Sequence, residues 1–455
     1  MKRFSLVFAA LAAGVLAAGC SSPAPAGGPA AAGGGAAPAA GGGEPVVKRL
    51  VLASNPPAGE DANVRRTSGA TIPPMRAPYE NLLSMDETTG KMVPQLAKSW
   101  QLESNGKALR IKLQEGVKFH GGKWPDFSAT DVRFTWESLV TMADSHTGAG
   151  AYNSMITDVE IVSPLEVVLK VNPTLEMYNM LSNVYSQFVM RSKAHFDAEG
   201  EPTRLDQPMV PGTAPLQFLT REVGAFVRFQ RVPYQHWREM PDFEEFEYRY
   251  VPEASTRLAS LLAGEVHVTI LPYDLYPQVK AAGHEVIPNK VAGPRVKGRL
   301  YCCHEVQGKP DEIMNPSSPM LDVRVRQALN VAINRDDMKK AFAASGETMY
   351  VDHFHPSRPG YDPGWEKRFN EYYGYNPQKA RQLLADAGYG PNKPLKLTIL
   401  SGVIAYLNSG PDIADSLAGY WRAVGIDPQI VTMDRAAEEN TRRTGKFDNH
   451  VKVWG

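Results

Sequence analysis

The sequence predicts an α/β protein of two or three lobes, with sheets covered by helices. Three observations carry that expectation. The length, 455 residues, exceeds what one hydrophobic core usually serves, and 43% of the residues are apolar, ample for real cores. From residue 48 onward, strand-like and helix-like segments alternate.

The elements follow in order. KRLVLAS (48–54) reads as a first strand, and KALRIKL (107–113) and EVVLKV (166–171) alternate apolar and polar as half-buried strands do. Ser128 with Asp131 forms a capping box, after which Val132, Trp136, Leu139 and Val140 share one helical face. Pro252 to Ala263 carries Leu258, Leu261 and Leu262 at helical spacing; Gly264 closes that helix, and EVHVTI (265–270) follows as a strand. Helices are predicted over Asp322 to Ile333 and from Asn334 to Phe342. Asn376 and Pro377 open another, with Leu383 and Leu384 inward and Gly388 at its end. LKLTIL (395–400) is a strand, Pro411 to Val424 a helix, Ile426 to Val431 a strand, and NHVKVWG (449–455) another.

The N-terminus has its own logic. Lys2 and Arg3 precede an apolar run from Phe4 to Leu16, too short to span as a stable helix, and then small residues, LAAGCSS. That is a secretory signal over residues 1–19. Ala17, Ala18, Gly19 and Cys20 also resemble a bacterial lipobox, in which Cys20 becomes the acylated N-terminus. An ordinary secretory signal with an incidental cysteine is the alternative. Residues 20–46 are almost purely Gly, Ala, Pro and Ser, which cannot bury enough apolar surface to offset their ordering entropy, so they read as a flexible linker.

Charge and motifs exclude much. Lys+Arg and Asp+Glu both count 49, so no basic stripe marks a nucleic-acid partner. No G-x-S-x-G elbow, zincin helix, phosphate loop or CxxC is present. Cys302 and Cys303 are neighbours, able to form at best a strained ring, and read as packed thiols in a strand. His353 and His355 would face one side of an extended segment and could share a metal; a surface loop with incidental histidines is the plainer reading. VKFHGGKW (117–124) poses the sharpest question, because a histidine beside two glycines could be a catalytic base.

The long motifs supply the context. YENLLSMDETTGKMVPQLAKSW (79–100), LQEGVKFHGGKWPDFSATDVRFTWESL (113–139), PGTAPLQF (211–218), YVPEASTRLASLLAGEVHV (250–268) and LDVRVRQALNVAINRDDM (321–338) come in that order, followed by YNPQKARQLLADAGY (375–389) and AVGIDPQIV (423–431). Together they resemble the family 5 extracellular solute-binding proteins, the peptide-binding components of bacterial ABC importers. The resemblance implies a periplasmic-binding-protein-like fold (type II, cluster C) with two main lobes, a smaller extra domain and a hinge. Lobe I would take residues 47–90 and 209–292, lobe II 91–208, and lobe III 293–455. It also implies a monomeric receptor without catalysis or cofactor, whose partners are a peptide or other small solute, an ABC permease with its ATPase subunits, and the membrane through a lipid anchor. Candidate cleft residues are Ser54 and Asn55, Tyr301 and Cys303, and Trp454; each is alternatively a hinge or core residue. A sensor for a membrane signalling partner and a secreted hydrolase on the same scaffold are the rival readings.

Departures matter as much. The family usually has G-T-G-P-Y where this chain has Gly212-Thr213-Ala214-Pro215-Leu216, and SNPPAGEDANVRR (54–66) replaces a common leucine-aspartate-proline. In relatives the chain continues past the position of Gly455, and an aspartate that pairs with a peptide's ammonium lies just beyond Trp454-Gly455. The resemblance therefore implies a fragment, with an intact shorter variant as the alternative. In the family His120 is a turn residue, so His120→Ala is expected to alter stability modestly and leave affinity nearly unchanged.

Overall fold

The computed structural model describes residues 47–57, 60, 62–63, 76–86, 89–141, 149–172, 174, 177–182, 188–287, 297–301, 305–306, 309–313, 315–342, 362–401, 410–433 and 450–454. Cys20, the 20–46 linker, Cys302, Cys303, His353 and His355 lie outside these residues.

The first described strand is β1 (Val47–Ser54), and a short hairpin follows, β2 (Leu83–Met85) against β3 (Met92–Pro94). Then β4 (Ala97–Glu103) and β5 (Ala108–Leu113) lead into α1 (Ala129–Thr141) and α2 (Ala149–Met155), and β6 (Ile156–Ser163) and β7 (Glu166–Val171) complete an antiparallel sheet in the order β4-β5-β7-β6. The alternation read in the sequence buries Leu109, Ile111 and Leu113 with Val167 and Leu169, under Val132 and Leu139 of α1. At the start of α1 the Ser128 N–H donates to Asp131 Oδ2 at 2.9 Å, as the capping box requires. The helices α3 (Met177–Met180) and α4 (Lys193–Glu199) follow.

The chain then returns to β1. β8 (Leu216–Glu222), β9 (Phe226–Arg231) and β10 (Phe243–Tyr250) form an antiparallel meander, α5 (Ala254–Leu262) crosses over, and β11 (Val268–Thr269) closes a sheet ordered β11-β1-β10-β9-β8. β1 runs parallel to both of its neighbours. Its period of two splits the packing. Val51 and Ala53 meet Leu258 and Leu261 of α5 and Val279 of α6 (Tyr276–Ala281), while Leu52 packs with Tyr248, Tyr250 and Phe229 on the other face. The strand expected over 265–270 shrinks to Val268–Thr269. Gly264 takes a left-handed φ of 75°, and the amides of Glu265 and Val266 turn back to the Ser260 carbonyl to finish α5, so they are lost to the sheet.

The remaining elements begin with β12 (Lys297–Tyr301) and the hairpin of β13 (Glu305–Val306) and β14 (Lys309–Ile313). Among the described residues, five helices follow: α7 (Val323–Val331), α8 (Arg335–Phe342), α9 (Pro363–Lys367), α10 (Phe369–Tyr373) and α11 (Pro377–Asp386). Asp322 caps α7 by accepting from the Arg324 N–H, so that helix starts a residue later than expected. β15 (Leu395–Ser401), α12 (Gly410–Arg422), β16 (Ile426–Thr432) and β17 (His450–Trp454) complete a sheet ordered β12-β17-β15-β16. Its core joins Leu397 and Ile399 to Val325, Leu329, Leu417 and Trp421, and the Trp421 indole N–H donates to the Leu329 carbonyl at 3.0 Å. Among the described residues no helix is long and apolar enough to cross a membrane.

Candidate functional site

In open parallel sheets, ligands are met outside the carboxyl ends of strands, where neighbouring connections diverge. β1 is such a place, because the chain passes from β10 through α5 to β11 and so straddles it. Ser54 ends β1 and Asn55 follows it, so the structure brings these two expected residues to that edge together.

Their partners differ. Ser54 is buried; its carbonyl accepts from the Val251 N–H at 2.8 Å and its side chain hydrogen-bonds Tyr248, whose hydroxyl pKa burial raises. Those are the bonds of a packed strand residue. Asn55 is half-buried, and its Oδ1 accepts from Arg257 Nη1 at 2.7 Å. Arg257 is only 1% exposed and donates also to the carbonyls of Val251, Pro252 and Ile270 at 2.6, 2.8 and 2.9 Å. Burial lowers its pKa and the charge of Glu253 opposes that shift, but a guanidinium keeps its proton. Among the described residues no carboxylate bonds it.

The second sheet repeats the arrangement. β15 lies between β16 and β17, parallel to both, and ends at Ser401. Ser401 is 4% exposed, and its hydroxyl has no hydrogen-bond partner among the described residues. Tyr301 and Trp454 are placed apart. β12 is antiparallel to β17, with Tyr301 opposite His450 and Lys297 opposite Trp454, so the two expected residues stand at opposite ends of one strand pair. Four residues of strand separate them, about 13 Å.

His120 sits elsewhere. Gly121 and Gly122 take left-handed φ values of 81° and 67°, which turns the chain and buries the histidine. The Gly212 N–H donates to His120 Nδ1 at 3.2 Å, so the ring carries its proton on Nε2, which donates to the Ala214 carbonyl at 2.8 Å. Burial pushes its pKa down to about 4, against the pull of the Ala214 carbonyl and of Glu80. His236 does the same from the other side: its Nδ1 accepts from the Arg238 and Glu239 N–H groups, both at 3.3 Å, and its Nε2 donates to the Thr213 carbonyl at 2.8 Å. Both rings are hydrogen-bonded through both nitrogens, as joints are. Further along the turn, Lys123 pairs with Glu199 at 2.7 Å and Trp124 packs edge-on against His195, so the rest of VKFHGGKW clasps α4. Among the described residues no group of three His, Cys, Asp or Glu side chains could hold a metal ion.

Residues 91–455 match the model of the bacterial extracellular solute-binding proteins, family 5, middle region. The chain belongs to this family. Among relatives of this family 5 protein is the dipeptide-binding protein of Escherichia coli (strain K12), 23% identical over 412 residues, or 85% of this chain and 72% of that one. Two solved structures share the fold. DppA from Helicobacter pylori in complex with peptide STSA gives a TM-score of 0.65 at 22% identity, covering 90% of this chain and 78% of that one. NikA from Brucella suis in complex with Fe(III)-EDTA gives 0.66 at 21% identity, covering 89% and 79%. This family 5 protein is therefore a solute-binding receptor with a type II periplasmic-binding-protein fold.

Arg257, Ser401 and His236 were not singled out in the sequence. Arg257 carries the one usable signal: it precedes Leu258 in the apolar pattern of α5, where a charge on a buried stripe demands partners. Ser401 and His236 stand in no motif.

Proposed function

We propose that this protein is the extracytoplasmic receptor of an ABC importer, capturing peptides or similar small solutes between two lobes and delivering them to a membrane permease, without a catalytic step. The lobes are those drawn above, with 47–90 and 209–292 on one side, 293–455 on the other, and 91–208 as the smaller extra domain. The observation that carries the reading is the family match over residues 91–455. Two features fit it. β1 and β15 each stand between parallel neighbours, so each sheet offers a carboxyl edge to a shared solute, and closure is stabilised by whatever bridges them. A relative named for dipeptides and a neighbour holding peptide STSA favour peptides. An extended peptide would add main-chain hydrogen bonds at a strand edge while roomy pockets tolerate its side chains. Acylated Cys20 and the 20–46 linker would tether the monomeric receptor within reach of its permease.

The test is titration of the full chain with a di- and tripeptide library, beside a nickel–histidine chelate and sugars, reading intrinsic fluorescence and melting midpoint. Saturable, peptide-dependent shifts are expected. No response to any peptide would overturn the peptide reading.

A further inference from the structure

We propose that the Ser401 hydroxyl, at the carboxyl end of β15, is a binding contact for a peptide unit of the solute, so that the receptor grips a peptide by its main chain there. This deepens the peptide reading above and rests on it.

The sequence of β15 sets the case. In LKLTILS, alternate residues from Leu395 onward lie on the face packed under α7 and α12, and Leu395, Leu397 and Ile399 are buried there together. Ser401 is the next residue of that row and is also buried. Three apolar positions are thus followed by a polar one with no loss of burial. Packing alone favours an alanine or valine at such a position, because either fills it without taking a hydroxyl out of water.

The hydroxyl does not serve the fold in the ordinary way either. A buried serine normally offsets its desolvation with a hydrogen bond, as Ser138 and Ser182 do by donating to the carbonyls of Thr135 and Asn179, both at 2.9 Å. Ser401 Oγ is buried and has no such partner among the described residues.

Position and chemistry name the ligand group. β15 lies between β16 and β17, parallel to both, and the carboxyl end of such a strand is where open parallel sheets meet their ligands. The register partner of Ser401 is Thr432, the exposed last residue of β16, so two hydroxyls share one face of this edge, a strand spacing of about 4.8 Å apart. Lys452 pairs with Leu400 and so belongs to the opposite face. Both hydroxyls are neutral, and each can donate and accept. That suits a neutral group that does both, which in a peptide is the main-chain amide with its N–H and C=O.

The test uses a dipeptide and its depsipeptide, in which an ester oxygen replaces the amide N–H. Each is titrated calorimetrically into the full natural chain and into Ser401→Ala. The ester cannot donate and is the weaker acceptor, so it weakens the contact whichever way the hydroxyl points. Ser401→Ala should keep a melting midpoint no lower than that of the natural chain, bind the dipeptide about fivefold more weakly, and bind the depsipeptide nearly as the natural chain does. An equal loss for both forms, no loss for either, or a lowered midpoint would overturn the inference while leaving the peptide reading standing. A natural chain that binds neither form, nor any other di- or tripeptide, would overturn both.

Discussion

His120 and Gly212, 92 residues apart, exchange hydrogen bonds reciprocally: the His120 N–H donates to the Gly212 carbonyl at 3.0 Å, and the Gly212 N–H donates to His120 Nδ1 at 3.2 Å. A histidine side chain thus completes what a strand partner would, locking the turn after β5 to the segment that leads into β8. The third bond, from Nε2 to Ala214, makes the joint directional.

The joint depends first on there being no side chain at 212. A Cβ there would lie 1.9 Å from the Pro78 carbonyl oxygen and 2.7 Å from the Tyr79 ring. Backbone cannot yield by that much locally. Gly212→Ala should cost about 3 kcal/mol or more in a urea titration, and a cost below about 1 kcal/mol would contradict this packing.

The joint depends next on a neutral ring. With both nitrogens engaged, protonating Nδ1 destroys the bond from Gly212, and burial already holds the folded pKa at about 4. The unfolded histidine titrates near 6.5, so the unfolded chain takes up the proton first. The contribution of His120 to stability is complete above about pH 6.5 and is lost as pH falls to about 4, by roughly 3 kcal/mol in all. His120→Gln should flatten that limb by up to one proton in unfolding curves between those values. His120→Ala should cost about 2 to 4 kcal/mol, more than the modest effect expected of a turn residue, because it orphans a buried N–H and a carbonyl. Solute affinity should not move.

Asp131 was legible as a capping residue, but its second bond was not. Oδ2 accepts from the Ser128 N–H, and Oδ1 accepts from the Lys193 N–H at 2.9 Å, which ties the start of α1 to the start of α4. Asparagine can satisfy only one of these and would turn an NH2 on the other. Asp131→Asn should therefore cost nearly as much as Asp131→Ala, about 1 to 3 kcal/mol, in paired denaturant titrations. A neutral Asp131→Asn would show that the Lys193 bond contributes nothing.

Those cases mark how far local sequence reaches. Period-two runs such as Leu395–Ser401, and helix ends such as Gly388 with its φ of 85°, are local, and they were readable. Register and direction are not local. β1 pairs with β10 about 196 residues away, where Arg49 meets Glu245, and nothing in either run names the other. FEEFEYRY hides a strand because Glu247 is buried between Arg228 and Arg249, so a charge stands where an apolar residue would signal an inward face. The same limit governed the site. Ser54 and Asn55 could be named from the end of β1, but Arg257 reaches Asn55 across 202 residues. Tyr301 and Trp454 look equivalent as strand ends until the antiparallel pairing sets them at opposite ends.

Ser401 offers the last test, because stability and binding should move in opposite directions there. Its hydroxyl is buried at the carboxyl end of β15 with no partner among the described residues, and an unmet buried hydroxyl costs about 1 to 3 kcal/mol. Removing it in Ser401→Ala should leave the melting midpoint unchanged or raise it, whereas removing a satisfied hydroxyl lowers it. Its position supplies one use for such a group: Ser401 is the last residue of β15, between the parallel strands β16 and β17, so a solute meeting this edge would complete the hydroxyl's hydrogen bonding. Affinity for peptides should then fall by about fivefold, since one hydrogen bond to the solute is worth roughly 1 kcal/mol. Melting curves and calorimetric titrations of Ser401→Ala beside the natural chain measure both halves. Raised stability with undiminished affinity would assign the hydroxyl to packing alone, and lowered stability would mean that Ser401 finds its partner within the protein.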